Sequence, residues 1–182
     1  MQTPLYILAI TTPGLAYLCW SDVNSRRLPN LWTLGMLVCA LIWRLVYGGV
    51  PLFMNGLIGG LLCGAFLLLP FLMRGAGGGD VKMIAAAGAV LGVQRIALML
   101  FATSLAGFVL ALIMLIFRKV DSARLKHYFL CLFWWKYDRA AGRAALPAKD
   151  SEKARIPFGV AIAAGTWLAL FYEVFIIWRS GQ

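Results

Sequence analysis

Long stretches without a single charged side chain constrain this fold more than any other feature of the sequence. Residues 51–73 form one such stretch and residues 1–21 form another. About 20 apolar residues in a helix cross the roughly 30 Å hydrocarbon core of a bilayer. Of the 182 residues, 62% are hydrophobic and only 13% are charged, whereas a soluble domain carries about 25% charged residues. So short a chain has too small an interior to bury this excess. The sequence therefore predicts an all-α, polytopic membrane protein, not a soluble enzyme, a disordered chain or a disulfide-stapled module.

The apolar stretches predict about six transmembrane helices in a single membrane-embedded domain over residues 1–182. They cover residues 4–20, 31–47, 51–73, 81–93, 96–117 and 156–178. The fourth is short for a full crossing, so neighbouring helices must shelter it. No Lys or Arg precedes the first stretch, which favours a retained span over a removable signal peptide. Arg44, near the end of the second span, is expected to extend its charge outward.

The basic residues predict the orientation of these spans. Of the 17 Lys and Arg residues, 14 lie in or beside the turns after spans one, three and five. The positive-inside rule then puts both termini outside and makes residues 118–155 a cytoplasmic loop with an interfacial segment. A net charge of +10 would suggest nucleic acid in a soluble protein. Beside apolar spans it fixes orientation instead, so we expect contact with the lipid bilayer and no nucleic-acid partner.

The small residues give a prediction about helix packing, and the cysteines give one about metal and disulfide sites. Gly56, Gly60 and Gly64 form overlapping G-x-x-x-G units, and Gly88 with Gly92 forms another. Such spacing lets helix backbones approach closely in lipid, and we expect it to serve packing within one chain rather than a dimer face. The oligomeric state stays open. The four cysteines include no C-x-x-C pair, so neither a metal site nor a disulfide framework is expected.

Two of the seven acidic residues lie where a carboxylate is unusual. Asp22 follows the first span, and Asp80 ends a glycine-rich run at residues 75–79 and opens the fourth helix. The predicted topology puts both at the cytoplasmic face, where burial in the apolar zone costs about 2.5–3.5 kcal/mol on insertion scales and thereby suggests function. Two carboxyl groups close together resist simultaneous ionisation, so one can activate water while the other donates a proton. In the alternative interpretation, Asp22 caps a turn and Asp80 caps the fourth helix.

Three ordered motifs then indicate a family. The first runs from Asp22 to the step Leu28-Pro29-Asn30, and the second is Gly77-Gly78-Gly79-Asp80-Val81-Lys82. The third, Pro157-Phe158-Gly159, enters the last helix. Together they make the sequence resemble the type IV prepilin peptidases, which are polytopic aspartic proteases, and in its short form the peptidases of tight-adherence (Flp) pilus systems.

The resemblance implies an activity and a set of roles. Asp22 and Asp80 would be the catalytic pair, with no cofactor and no metal. The substrates would be pilin or pseudopilin precursors, cut at the cytoplasmic face of a bacterial inner membrane. Pro29, Asn30, Pro157, Phe158 and Gly159 would support the motifs. The paired C-x-x-C motifs of the longer members are missing from this sequence, so N-methyl transfer is not implied.

The remaining motif residues would shape the substrate site. Gly77, Gly78 and Gly79 are expected to supply unusual backbone angles and room for a substrate strand, while Lys82 would hold the helix end at the interface or meet a substrate carboxylate. The alternative from another class is a non-enzymatic membrane scaffold or an ion-conducting protein. That function would place ionisable groups along a path through the bilayer.

Overall fold

The regular secondary structure of the described residues is helical. The computed structural model describes residues 3–25, 28–72, 76–116 and 158–179. Its helices are α1 (Thr3–Ser25), α2 (Asn30–Leu72), α3 (Gly78–Leu91), α4 (Ile96–Ile116) and α5 (Phe158–Arg179), with a 3₁₀ turn at Val93–Arg95. The predicted all-α class is confirmed over these ranges. The loop predicted at 118–155 and the motif residue Pro157 lie outside the described residues.

A sharp bend divides α2 into two arms. The helix has 43 residues, which would extend about 65 Å if it were straight, twice the thickness of the hydrocarbon core. Gly49 interrupts it with φ 64° and ψ −162°, a conformation that glycine adopts without steric cost. A Cβ atom on Gly56 would lie 2.5 Å from Cδ of Arg44, although 12 residues of straight helix cover about 18 Å. The first arm (residues 30–48) and the second arm (residues 50–72) therefore match the predicted second and third spans.

Three helical stretches in the described part of the chain are long and apolar enough to cross a membrane. They are α2, Val93–Met114 and Phe158–Ile176. By contrast, α3 has only 14 residues, and its side chains Met83, Ile84 and Leu91 are fully buried. The expectation that neighbouring helices shelter the fourth helix is confirmed.

Glycines bring the second arm of α2 against α3. A Cβ on Gly59 would lie 2.6 Å from the carbonyl oxygen of Gly88, and a Cβ on Gly88 would lie 2.6 Å from that of Gly59. A Cβ on Gly60 would lie 2.9 Å from the carbonyl oxygen of Ala85. The two backbones thus touch where the G-x-x-x-G spacing predicts close approach, and the expected use of this spacing within one chain is confirmed.

The buried core joins α1, α3 and α5. Leu15 and Leu18 of α1 belong to one cluster with Ile84 of α3 and with Ile162 and Leu170 of α5. The three helices that carry the predicted motifs therefore pack on one another, so the core also sets the relative positions of their ends.

The prediction that Arg44 extends outward is wrong. Its side chain is only 4% exposed. The Nη1 atom donates to the backbone oxygen of Leu52 and to Oδ1 of Asn55, both at 3.3 Å, and Nη2 donates to the oxygen of Val90 at 2.9 Å. The last carbonyls of a helix lack intrahelical partners and favour a nearby cation. Arg44 binds one of them at the end of α3, which holds it inside the bundle.

A second arginine binds the next carbonyl of α3. Arg95 Nη1 donates to the oxygen of Leu91 at 3.1 Å, and its Nη2 forms an ion pair with Glu173 of α5. Asn55 Oδ1 also accepts the backbone N–H of Val93 at 3.2 Å. The end of α3 farthest from Asp80 is therefore fixed by two guanidinium groups and one amide.

Candidate active site

Asp22 connects the end of α1 to the start of α5. It lies in the last turn of α1, is 6% exposed, and accepts the backbone N–H of Gly159 on Oδ2 at 2.8 Å. Gly159 is the second residue of α5, where backbone N–H groups have no partner within the helix. Through this contact Asp22 caps a helix other than its own, which differs from the local turn cap of the alternative interpretation.

Asp80 accepts a hydrogen bond within its own helix start. It is the third residue of α3 and 9% exposed, and its Oδ2 accepts the N–H of Gly77 at 2.8 Å. A capping interaction, the alternative interpretation for this residue, is thus present. Both carboxylates lie at helix N-termini, where the partial positive charge of the unpaired N–H groups stabilises a negative charge.

The glycines before Asp80 differ from the expectation in their backbone angles, and Gly79 matters because it has no side chain. Gly77 has φ −84°, and positive φ occurs among the described glycines at Gly49 and Gly92 only. The expectation of unusual backbone angles at residues 77–79 is therefore wrong. A Cβ on Gly79 would lie 2.9 Å from Cβ of Leu28. The missing side chain lets Leu28 of the first motif pack directly on the second motif.

A hydrogen bond joins the same two motifs at the surface. Lys82 Nζ donates to Asn30 Oδ1 at 2.8 Å. Lys82 follows Asp80 by two residues, so the two side chains do not share a face of α3. Pro29 directly precedes α2, and its carbonyl oxygen accepts the N–H groups of Trp32 and Thr33 at 3.1 and 3.2 Å. This contact agrees with the first role expected for Lys82, holding a helix end, and the second role, contact with a substrate carboxylate, stays a prediction.

Some of the predicted site residues contact one another in the structure, and others contact residues elsewhere. Asp22 meets Gly159, and Lys82 meets Asn30. Phe158 packs elsewhere, because a Cβ on Gly107 of α4 would lie 2.8 Å from its Cε2. Gly78 lies beside Phe71, with 3.5 Å between its ideal Cβ position and Cε2 of that ring.

Two residues at this end of the bundle received no site role from the sequence. Leu28 stood in the first motif without an assignment, although it packs on Gly79. Cys19 received no assignment either, and its Sγ lies 4.0 Å from the carbonyl oxygen of Gly159. The available signal was its spacing, since residues three apart share a helix face and Cys19 precedes Asp22 by three. In the described ranges no group of three His, Cys, Asp or Glu side chains could hold a metal ion.

Comparison with known proteins places the chain in a family. Residues 9–112 match the model of the type IV leader peptidase family. The chain belongs to this family. The matched region contains Asp22, Asn30, Asp80 and Lys82, so the resemblance indicated by the first two motifs is confirmed, whereas the third motif lies beyond it.

A relative gives a second comparison. The prepilin leader peptidase/N-methyltransferase of Neisseria gonorrhoeae is 38% identical over 112 residues, which are 58% of this chain and 39% of that protein. The chain therefore spans well under half the length of this relative. No solved structure matches the chain.

Proposed function

We propose that this protein is a membrane aspartic endopeptidase that removes the leader peptide from type IV pilin or pseudopilin precursors. Membership of the type IV leader peptidase family supports the peptidase activity. The observation that carries the two-aspartate mechanism is the meeting of the three motifs at one end of the bundle. Asp22 binds Gly159, and the Leu28 to Asn30 step contacts Gly79 and Lys82.

The chemistry assigned to the two carboxyl groups follows from their environment. Both Asp22 and Asp80 are buried, and each has one oxygen held by a glycine N–H. In the proposed reaction, the ionised carboxylate takes a proton from water, and the protonated carboxyl group donates one to the leaving amine. Because hydrogen bonds fix both side chains before substrate arrives, the reacting groups need little reorganisation. Lys82 takes part in no proton transfer and positions Asn30.

The proposed topology has six spans with both termini outside and the aspartates facing the cytoplasm of a bacterial inner membrane. Counting each arm of α2 separately gives six helical segments among the described residues, and the proposal is that each of them is a span. Asp22, Asp80 and Lys82 lie at the end of the bundle where the predicted basic turns occur. A leader peptide on the cytoplasmic side of a membrane-anchored precursor would reach this end without crossing the bilayer.

The arrangement of charges weighs against the ion-conducting alternative. The ionisable Asp, Glu, Lys and Arg side chains in the described part of the chain form two groups. Asp22, Asp80 and Lys82 lie at one end, and the other group comprises Arg44, Arg95, Glu173 and Arg179. Apart from these two groups, the buried side chains of the described residues are apolar or carry only a hydroxyl group, as in Thr103 and Thr166. A conducting path needs ionisable or hydrated groups across the membrane, so this distribution favours the peptidase over the ion-conducting protein.

Cleavage of a pilin-like precursor by the purified protein tests the proposal. Asp22→Asn and Asp80→Asn should each abolish the size shift of the precursor. Asparagine keeps an oxygen that accepts the glycine N–H, so both variants should elute and unfold like the wild type. Asp138→Asn, which changes a carboxylate of the predicted loop, is the matched control and should cleave normally.

Two results would contradict the proposal separately. Near wild-type cleavage by either Asp22→Asn or Asp80→Asn would exclude the two-aspartate mechanism while leaving the peptidase activity in place. Failure of the wild type to cleave any pilin-like or pseudopilin-like precursor, in detergent and in liposomes, would exclude the substrate class.

A further inference from the structure

Leu28 fills the space that Gly79, the residue before Asp80, leaves open. A Cβ on Gly79 would lie 2.9 Å from Cβ of Leu28 and 3.3 Å from its Cδ1. Leu28 is partly buried and also packs against the core cluster that joins α1, α3 and α5, so its side chain contacts both that cluster and the start of α3. On this flank of the glycine run, the space beside the backbone is therefore occupied by a side chain of the protein itself.

The step from Leu28 to Asn30 contacts α3 on both sides of Asp80 in the sequence. Leu28 contacts Gly79, one residue before the aspartate. Asn30 Oδ1 accepts the hydrogen bond of Lys82 Nζ, two residues after it, in an exposed contact. Such a bond contributes only about 0.5–1.5 kcal/mol, whereas truncation of a fully buried leucine to alanine costs about 2–5 kcal/mol. The partly buried apolar contact of Leu28 is therefore the stronger of the two restraints.

The first turn of α3 holds the carboxyl group of Asp80 through contacts of short range. The carbonyl oxygen of Gly77 accepts the N–H groups of Asp80 and Val81 at 3.1 and 3.3 Å, while Oδ2 of Asp80 accepts the N–H of Gly77 at 2.8 Å. Glycines adopt many backbone conformations, so a turn built on a glycine run is easily displaced. A side chain packed on Gly79 restricts that freedom, and with it the position of the carboxyl group.

We propose that Leu28 is a positioning residue for the peptidase reaction and fixes the carboxyl group of Asp80 by packing on Gly79. This inference rests on the proposed two-aspartate function, and it adds a residue whose side chain has no proton to exchange. Because Leu28 acts through α3, its loss should slow the chemical step and leave the affinity for substrate nearly unchanged. A displacement of about 1 Å at a reacting group costs roughly 100-fold in rate.

Steady-state cleavage of a pilin-like precursor by the full chain separates positioning from substrate binding. Leu28→Ala should lower kcat per folded molecule by about 10- to 100-fold, with KM within about twofold of the wild type. Leu28→Met keeps the side-chain volume and should restore most of kcat. Leu61→Ala, the same change as the first at a 65% exposed position of the second arm, is the matched control. An unchanged kcat in folded Leu28→Ala protein, or a rise in KM alone, would overturn the proposal.

A double-mutant cycle identifies the contact through which Leu28 acts. Gly79→Ala adds a methyl group against Leu28 and should lower kcat through the resulting overpacking. In the double variant Leu28→Ala/Gly79→Ala, the new methyl group enters the space that Cγ and Cδ1 of Leu28 have left. The loss of kcat in the double variant should therefore be smaller than the product of the two single losses. Losses that simply multiply would show that Leu28 does not act through Gly79, and would refute the proposal.

Hydrogen exchange tests the packing without any substrate. Mass spectrometry follows a peptide that covers Asp80 and Val81, whose N–H groups bind Gly77. Leu28→Ala should raise the exchange rate there about tenfold, because lost packing lowers the free energy of local opening, while Leu61→Ala should not. Unchanged exchange would refute the proposal. Failure of the wild type to cleave any precursor would instead refute the proposed function, and the exchange result would still decide whether Leu28 fixes the start of α3.

Discussion

At Gly159, the absence of a side chain lets a carboxylate reach the start of a helix. A Cβ there would lie 2.7 Å from Oδ2 of Asp22 and 3.3 Å from its Cβ. A methyl group would thus displace the side chain that the mechanism requires to be fixed. The glycine of the third motif therefore has a steric role toward Asp22.

We expect Gly159→Ala to reduce the rate of precursor cleavage by about 100-fold, since a misplacement of about 1 Å costs roughly that factor. The measurement is the initial rate at saturating precursor. Val160→Ala, at the next position of α5, leaves the Asp22 contact intact and should cleave within about twofold of the wild type. A Gly159→Ala protein with full activity would show that the Asp22 contact does not set the rate.

The individual site residues differ in how far their sequence revealed them. Asp22 and Asp80 stand out in the sequence because a carboxylate beside an apolar span is rare, and their catalytic role stays a prediction. The role of Gly79 could not be predicted, because its contact with Leu28 depends on how two distant segments meet. The burial of Arg44 could not be foreseen either, since its acceptors lie across the bend and on α3.

At the scale of helices, Lys82 and Asn30 fasten the start of α2 to α3. Their hydrogen bond is exposed and measures 2.8 Å. Leu28 packs on Gly79 beside it, so the polar contact adds to an apolar one. Loss of the bond alone should loosen the two helix starts without separating them.

Lys82→Met should therefore lower the cleavage rate by about two- to tenfold, equivalent to about 0.5–1.5 kcal/mol. Lys82→Arg keeps a donor and should stay near the wild-type rate. Because Asn30→Leu removes the same bond, the double variant should be no slower than the slower single variant. Complete loss of activity in Lys82→Met, or multiplied losses in the double variant, would point to a direct role in the reaction.

Backbone contact between α2 and α3 makes Gly88 sensitive to any added atom. A Cβ there would lie 2.6 Å from the oxygen of Gly59 and 2.7 Å from Sγ of Cys63. Gly88→Ala should lower the free energy of unfolding by about 1–3 kcal/mol through overpacking, measured by denaturant titration in micelles. Gly35→Ala, with open space at its Cβ, is the control. Equal stability of the two variants would contradict the close packing.

Helix positions followed from the sequence better than helix ends did. The apolar stretches in the sequence predicted the approximate position of each described helix, because a helix that crosses a bilayer needs about 20 apolar residues. The fourth helix was predicted at 81–93 but runs Gly78–Leu91. It begins earlier because Asp80 binds the N–H of Gly77, and it ends earlier because Gly92 has φ 76°. Both ends thus depend on local contacts that hydropathy does not contain.

At the scale of the whole molecule, the charged side chains of the described residues lie at two opposite ends of the bundle. The end with Asp22 and Asp80 carries the proposed chemistry, and the opposite end carries the guanidinium groups that bind the last carbonyls of α3. In the sequence, 14 of the 17 basic residues fall on the predicted side of the two aspartates. The contacts of Arg44 and Arg95 at the opposite end could not be predicted, because hydropathy treats these two residues only as charges near span ends.

The orientation of the molecule gives the last prediction. Reporter domains that are active only outside the cytoplasm should be silent when fused within residues 140–150 and active when fused after Gln182. The physical reason is the cost of moving ten Lys and Arg side chains of residues 118–155 across the membrane against the positive-inside preference. A reporter that is active only inside should give the opposite pattern, which controls for unstable fusions. If both reporters indicated the reverse orientation, Asp22 and Asp80 would face away from a cytoplasmic leader peptide. Cleavage on the cytoplasmic side would then be excluded, while the contacts among the three motifs would stand.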